Sequence, residues 1–342
     1  MTLLSTITRQ ATRLPEEKLN ILTFVTHERY EPNLCKTGHN FYSLTGSGTR
    51  SWNTKVAPVP DNYTIIPTDF NNLINPAIPW EAKIRKIRNI DFDCIIAQNV
   101  FGHAQIAKTI QNTIRVPLIC IEHTDTMPSW SDEYIKSMLS LRGDINVFIS
   151  EYSKERWMCE DGIVLEHGID HDTFCLSDKP RKNHILSMCN DWINRDVPCG
   201  FSIWLRICAN LPCKVVGDTP GLSKGLDSLE ECVNELQTSR IFFNTSQFSP
   251  IPMSLLEAMS CGCAVVSTAT CMIPEIIKHG ENGFISNDES KLREYLTLLL
   301  NDEALAKKIG ENARKTIISR FGMDKFTDSW NNVLRKIDGI RK

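Results

Sequence analysis

One stretch, Arg240 to Ile285, arranges its residue types so that they could do chemistry. A β-rich start, Ile241 to Asn244, runs into a Ser/Pro-rich loop, Ser249-Pro250-Ile251-Pro252. The loop opens a helix, from Met253, Ser254 and Leu255 onward, that carries Glu257, and Cys261-Gly262 closes that helix before a second strand. The first N–H groups of a helix have no intrahelical acceptor, so such a loop favours a phosphate or diphosphate above the sheet edge. Glu257, one or two turns in, is then placed to accept hydrogen bonds from sugar hydroxyls. The pattern describes a nucleotide-sugar pocket. As plain structure, Leu255, Leu256 and Met259 are the core side of a β-α-β unit, which leaves the loop and Glu257 unexplained.

The elements that must hold this stretch alternate along the whole chain. Asn20 to Thr26, Asn40 to Leu44, Asp93 to Ala97, Val116 to Glu122 and Ile145 to Ser150 read as strands, most of them nearly continuously apolar as buried parallel strands are. Helices fill the gaps at Trp80 to Asn89, Ala104 to Thr113 and Ser131 to Leu141. After Gly162 to Asp170 the alternation resumes, with strands at His184 to Met188, Cys213 to Val216, Ile241 to Asn244 and Ala264 to Ser267, and the charged, amphipathic Glu289 to Lys336 closes the chain. Alternation of this kind means parallel sheets covered on both faces. At 342 residues the chain suits two domains.

Composition narrows the function classes. With 42% hydrophobic and 23% charged residues the chain is of the soluble globular type, and a net charge of −3 gives no global attraction to nucleic acid or anionic membrane. The 13 cysteines are scattered singly, Cys261 and Cys263 being the only close pair in sequence, with no CxxC; this favours reduced thiols in the cytoplasm over structural zinc. Leu3 and Leu4 before Arg9 fall far short of a signal h-region. Asp91-Phe-Asp93 spells a metal-binding DxD but precedes its strand, which suits a strand-entry turn. Gly46-Ser-Gly48 gives only half of a dinucleotide fingerprint, and no Walker A lysine exists. Trp80, Ile84, Ile87 and Ile90 fall on one helical stripe among Lys83, Arg85, Lys86 and Arg88, which fits a helix packed on its own sheet and, as the sharper alternative, a membrane or nucleic-acid phosphate contact.

Leu255 to Ala269 and Ile273 to Ile285 resemble the donor site of retaining glycosyltransferases of the GT-B fold, family 4 type, whose signature is Glu, seven residues, Glu. Here Glu257 stands at the second glutamate and Ser249 at the first. The resemblance implies two Rossmann-like domains with parallel sheets facing across a cleft: residues 1–172 as the acceptor domain, 173–323 as the nucleotide-sugar donor domain, and a C-terminal helix at about 324–342 crossing back. It extends to Val116-Pro-Leu-Ile-Cys-Ile-Glu-His123, to Asn146 to Trp157, to Ile163 to Phe174, and to Cys213 to Gly221, whose Gly217 turn would lie beneath the donor base.

The resemblance also implies roles. Arg195 stands where the family places a cation on the donor diphosphate, against the plainer reading of a surface salt bridge. The lysine that often follows it is missing, and Lys224 could substitute from a neighbouring loop. His123 resembles the histidine that approaches the donor sugar near its anomeric carbon; a hydrogen-bonded structural histidine is the plainer reading. His27 and Glu28 replace the family's glycine-rich turn after the first strand and are candidates for the acceptor side. Carboxylate-to-serine replacement at Ser249 puts the family's usual sugar in question.

The expectation is a cytoplasmic retaining glycosyltransferase, with the option of resting on a membrane. It would use a nucleoside diphosphate sugar and a glycan, a lipid or a hydroxylated nucleobase in DNA as acceptor, with no metal and no cofactor. A nucleotide-sugar epimerase or phosphorylase on the same fold, and a non-catalytic sugar-nucleotide binder, are the alternatives.

Overall fold

Apolar runs too short for helices and bounded by turn residues have little choice but to pair, and in this chain they pair in parallel throughout. The computed structural model describes residues 8–9, 11–14, 16–45, 51–67, 77, 89–100 and 103–340. They divide into two units: Met1–Glu166 with Thr327–Lys342, and His167–Phe326. Gly46-Ser-Gly48 and all but the last two residues of the stripe Trp80 to Ile90 lie outside the described residues.

The first unit holds seven strands, β1 (Asn20–Phe24), β2 (Asn40–Thr45), β3 (Tyr63–Pro67), β4 (Cys94–Gln98), β5 (Leu118–Glu122), β6 (Ile145–Phe148) and β7 (Ile163–Val164). Their order is β3-β2-β1-β4-β5-β6-β7, all parallel. The chain builds outward from β1 to β3, then returns to β1's other side with β4. Leu22 thus lies between Tyr42 and Ile95. Leu22, Phe24, Ile95, Ala97 and Leu118 pack against Ala107, Ile110 and Ile114 of the helix His103–Ile114. A short helix α1 (Glu31–Cys35) precedes that helix, α2, and α3 (Asp132–Met138) and α4 (Glu151–Arg156) follow it. The Ser131 and Ser150 hydroxyls cap α3 and α4 by accepting the Tyr134 and Ser153 N–H groups, a contact that contributes ~1 kcal/mol per helix.

The second unit repeats the plan with β8 (Lys182–Met188), β9 (Cys213–Val216), β10 (Ser239–Asn244), β11 (Ala264–Ser267) and β12 (Phe284–Ile285), in the order β12-β11-β10-β8-β9. Its helices are α5 (Asp196–Cys199), α6 (Phe201–Cys208), α7 (Leu229–Thr238), α8 (Met253–Ser260), α9 (Ile273–Ile276), α10 (Glu289–Asn301) and α11 (Glu303–Arg320). Ile185, Ile241, Phe243, Ala264 and Val266 meet Trp204, Leu292, Leu296, Leu299 and Ile309 in one buried cluster. The closing region Glu289 to Lys336 is cut twice: at Asp302, whose carboxylate caps α11, and at Phe321, before α12 (Met323–Arg335). Among the described residues no helix is long and apolar enough to cross a membrane.

Three strands escaped the sequence reading. β7 and β12 have two residues each, too few to show a period, and β3 is an edge strand in which only Tyr63 is fully buried. In each sheet the build direction reverses once, at β1/β4 and at β8/β10. Open α/β sheets bind ligands beyond the carboxyl ends of their strands at such reversals.

Candidate functional site

Beyond the carboxyl ends of β8 and β10, the second unit gathers most of the residues singled out from its sequence. β8 runs into the turn Cys189 to Arg195, which is welded to the turn after β9: Asp191 N–H donates to the Asp218 carbonyl at 2.7 Å, Asp218 N–H to Asn190 Oδ1 at 2.9 Å, and Trp192 N–H to Thr219 Oγ1 at 3.0 Å. Gly217 makes that closeness possible. Its φ is +126°, and a Cβ there would lie 2.0 Å from the Cys189 carbonyl oxygen, so only glycine fits. Lys224 is exposed and enters this turn through its backbone, accepting the Gly217 N–H at 3.3 Å.

Arg195 is the cap residue ahead of α5 and is exposed, its guanidinium donating to the Asn190 carbonyl at 3.4 Å. It makes no ion pair among the described residues, so the salt-bridge reading finds no partner. The segment it starts is docked on the loop after β10: the Pro198 carbonyl accepts the Gln247 N–H at 2.9 Å, and the Cys199 carbonyl accepts Thr245 Oγ1 and Trp192 Nε1, each at 2.9 Å.

That loop delivers Ser249, half-buried, then Pro250 and Ile251, both buried, and Pro252 as the cap residue of α8. Pro252 has no N–H, and its carbonyl takes the Leu255 N–H at 3.1 Å. Of the amides expected to face an anion, Leu255's is therefore committed inside the helix. Those of Met253 and Ser254 stand at the helix start, beyond any intrahelical acceptor. Glu257 is 3% exposed, one turn further in, with its carboxylate close enough to Cys261 to help raise that thiol's pKa, after burial itself.

The other end of α8 is clamped by two arginines. Arg181 donates to the carbonyls of Cys261, Ser239 and Leu236, and Arg314 to those of Ser260 at 2.6 Å and Phe174 at 3.0 Å. Cations suit the carboxyl end of a helix, where the dipole is negative.

The thiols are less scattered than their spacing implies. Cys189 and Cys199 lie close enough for each thiol to shift the other's pKa, as do Cys208 and Cys213. The neighbouring Cys189 thiol, with the Arg195 charge, holds the Cys199 thiol below its ordinary pKa.

In the first unit the edge beyond β1, β4 and β5 brings His27 and His123 together, with ring centroids 6.0 Å apart. His123 is half-buried: its Nε2 lies 3.2 Å from Gln98 Oε1, its N–H 3.4 Å from Asn99 Oδ1, and the Tyr30 ring meets it edge-on at 4.5 Å. Glu122, fully buried, accepts the Val100 N–H, the Thr124 N–H and Thr124 Oγ1, and burial raises its pKa.

Glu28 points elsewhere. It is 1% exposed and accepts the Asn53 N–H at 3.0 Å, so it braces the segment ahead of β3 and offers no open carboxylate. Glu31, missed in the sequence, does more here. Its Oε1 accepts the N–H groups of Thr26 at 2.6 Å and His27 at 2.8 Å, and the Tyr63 hydroxyl donates to Oε2. The amides at this strand end are thus held by an internal carboxylate, where the resembling family has a glycine-rich turn. Burial pushes Glu31 up to about 7. Tyr30, Gln98 and Asn99 were also missed; a polar Gln-Asn pair closing the apolar strand Cys94–Gln98 was the available signal. Asp93, of the apparent DxD, sits at the opposite edge, bound to Asn20 N–H and ion-paired with Arg9 and Arg13.

Residues 224–316 match the family described as glycosyl transferases group 1. The N-acetyl-alpha-D-glucosaminyl L-malate synthase of Bacillus anthracis is 30% identical over 100 residues, 29% of this chain and 26% of that protein, so the match spans about a quarter of the relative's length. Alr3699/HepE of Anabaena, solved in complex with UDP and glucose, superposes with a TM-score of 0.75 at 15% identity, over 93% of this chain and 100% of that one. The sucrose-phosphate synthase of Thermosynechococcus elongatus gives 0.73 at 12% identity, over 94% and 100%. Likeness at these identities establishes the GT-B fold.

Proposed function

We propose that this chain, which carries a group 1 glycosyltransferase domain on a GT-B scaffold, moves a sugar from a nucleoside diphosphate sugar to an acceptor hydroxyl with retention of anomeric configuration. The observation that carries the reading is the reversal point of the second sheet, where the amides opening α8 and the exposed Arg195, without an ion pair among the described residues, come from the two strands that flank it. A diphosphate placed there would meet helix-terminal N–H groups and a guanidinium, both of which favour negative charge as it grows on a leaving group.

In this reading the diphosphate departs towards Arg195 and the Met253 and Ser254 amides, and takes the acceptor's proton on the same face, so no protein nucleophile is needed. Glu257 binds the nucleotide ribose, Ser249 faces the sugar, and Gly217 keeps the turn beneath the base tight. His123 meets the transferred sugar, and His27 belongs to the acceptor side. The solved relative's UDP and glucose make uridine donors the first to try.

A thermal-shift screen of nucleoside diphosphate sugars finds the donor, because a ligand that binds only the folded state raises its melting temperature. Product analysis with glycan, lipid and hydroxymethylated-DNA acceptors then decides the reaction. Transfer gives a glycoside and free nucleotide; epimerisation or phosphorolysis gives a changed sugar or a sugar phosphate, and a binder gives neither. Glu257→Gln should weaken every donor by ~1 to 3 kcal/mol with the fold intact. An unaltered donor affinity removes Glu257 from the site.

A further inference from the structure

His123 is held more tightly than a lone histidine at a strand end needs to be, and the group that fixes its ring is Gln98. Gln98 is fully buried at the last position of β4. Its Oε1 lies 3.2 Å from His123 Nε2, and an amide oxygen can only accept, so that nitrogen must carry the proton. The backbone on either side is fixed as well. His123 N–H faces Asn99 Oδ1, and the next residue, Thr124, is tied to Glu122 by both its N–H and its hydroxyl. Asn99 holds its place at a φ of +103°, a conformation that non-glycine residues seldom adopt. The Tyr30 ring that meets the imidazole edge-on is itself pinned, its hydroxyl accepting Trp330 Nε1–H at 2.9 Å. Gln98 has a second tie, since its backbone carbonyl accepts a hydrogen bond from His103.

We infer that Gln98 is a positioning residue for His123: its amide oxygen holds the imidazole in the Nε2–H tautomer and in one orientation, with the lone pair on Nδ1. The inference rests on the proposed role of His123 towards the transferred sugar. The titratable groups around the ring are His27, Tyr30 and Glu122, with His103 behind Gln98 and Glu31 behind His27. Which imidazole nitrogen carries the proton decides whether a histidine donates to a sugar oxygen or accepts from a hydroxyl, so the acceptor behind it matters to the reaction.

The test reads the tautomer directly, by imidazole ¹⁵N shifts of the full chain labelled at histidine, with His123 assigned by its loss in His123→Ala. Wild type should show the Nε2–H form. Gln98→Met keeps the volume but removes the acceptor and should populate the Nδ1–H form; Gln98→Glu restores an acceptor and should return the ring to Nε2–H. With a donor and acceptor in hand, kcat should fall about 3- to 10-fold in Gln98→Met, the worth of one hydrogen bond, with the donor KM unchanged and kcat recovered in Gln98→Glu. An Nδ1–H form in wild type, or a tautomer indifferent to Gln98→Met, overturns the inference. The wild-type spectrum decides even if Gln98→Met does not fold. A correct tautomer pattern in a chain that transfers no sugar would sink the glycosyltransferase reading and leave the Gln98–His123 pair standing.

Discussion

Removing the charge of Glu31 should flatten the pH dependence of the first unit's stability. Burial lifts this carboxyl from its ordinary 4.5 to about 7, although the Tyr63 hydroxyl and the Thr26 and His27 amides pull the other way. Between pH 4.5 and 7 the folded chain keeps a proton here that the unfolded chain has lost. Stability contributed by this site is therefore complete below the unfolded value, falls as pH rises through that window, and levels off above it. Integrated from pH 5 to pH 8 the loss is on the order of 2 to 3 kcal/mol. Glu31→Gln keeps a carbonyl for the two amides and has nothing to titrate. The assay is urea-dependent hydrogen exchange of the β1 and α1 amides at pH 5, 6, 7 and 8, in wild type and variant. The wild-type curve should fall by that amount relative to the variant. Parallel curves, or a Glu31 carboxyl whose ¹³C titration centres near 4.5, would refute the argument that burial outweighs the three hydrogen bonds.

Gly217→Ala should destabilise the second unit by about 2 to 3 kcal/mol through backbone strain and its clash with the Cys189 carbonyl; an unaltered urea midpoint would show that the turn can relax. Arg195→Ala should weaken a nucleoside diphosphate about 10-fold or more by calorimetry and leave the bare nucleoside nearly untouched. Equal losses for both ligands would point to a folding defect. Ser249→Glu should re-rank competing nucleotide sugars, since a charged acceptor replaces a neutral, shorter one. An unchanged ranking means that Ser249 does not face the sugar.

The parallel strands announced themselves in the sequence because burial on both faces leaves nearly uninterrupted apolar runs, of Ile, Ala and Cys in Cys94–Gln98 and of Leu, Ile and Cys in Leu118–Glu122. So did the loop and helix around Glu257, since a proline-rich turn ahead of an apolar helix is a local pattern. What stayed hidden depends on contacts between segments far apart in the chain. Glu28 and Glu31 look alike as residues after a strand, and only the fold turns one towards Asn53 and the other onto Thr26, His27 and Tyr63. The ten-residue separation of Cys189 and Cys199 gives no hint that a helical turn brings their thiols together.

The two arginines at the far end of α8 make that helix a cantilever. Arg181 and Arg314 bolt its last carbonyls to residues 174, 236 and 239, while its first turn has no side-chain cap, Pro252 standing at that position. A beam fixed at one end moves most at the other. Thermal motion in this part of the second unit should therefore be concentrated in the segment where a diphosphate would dock, and a docked ligand would act as the missing support.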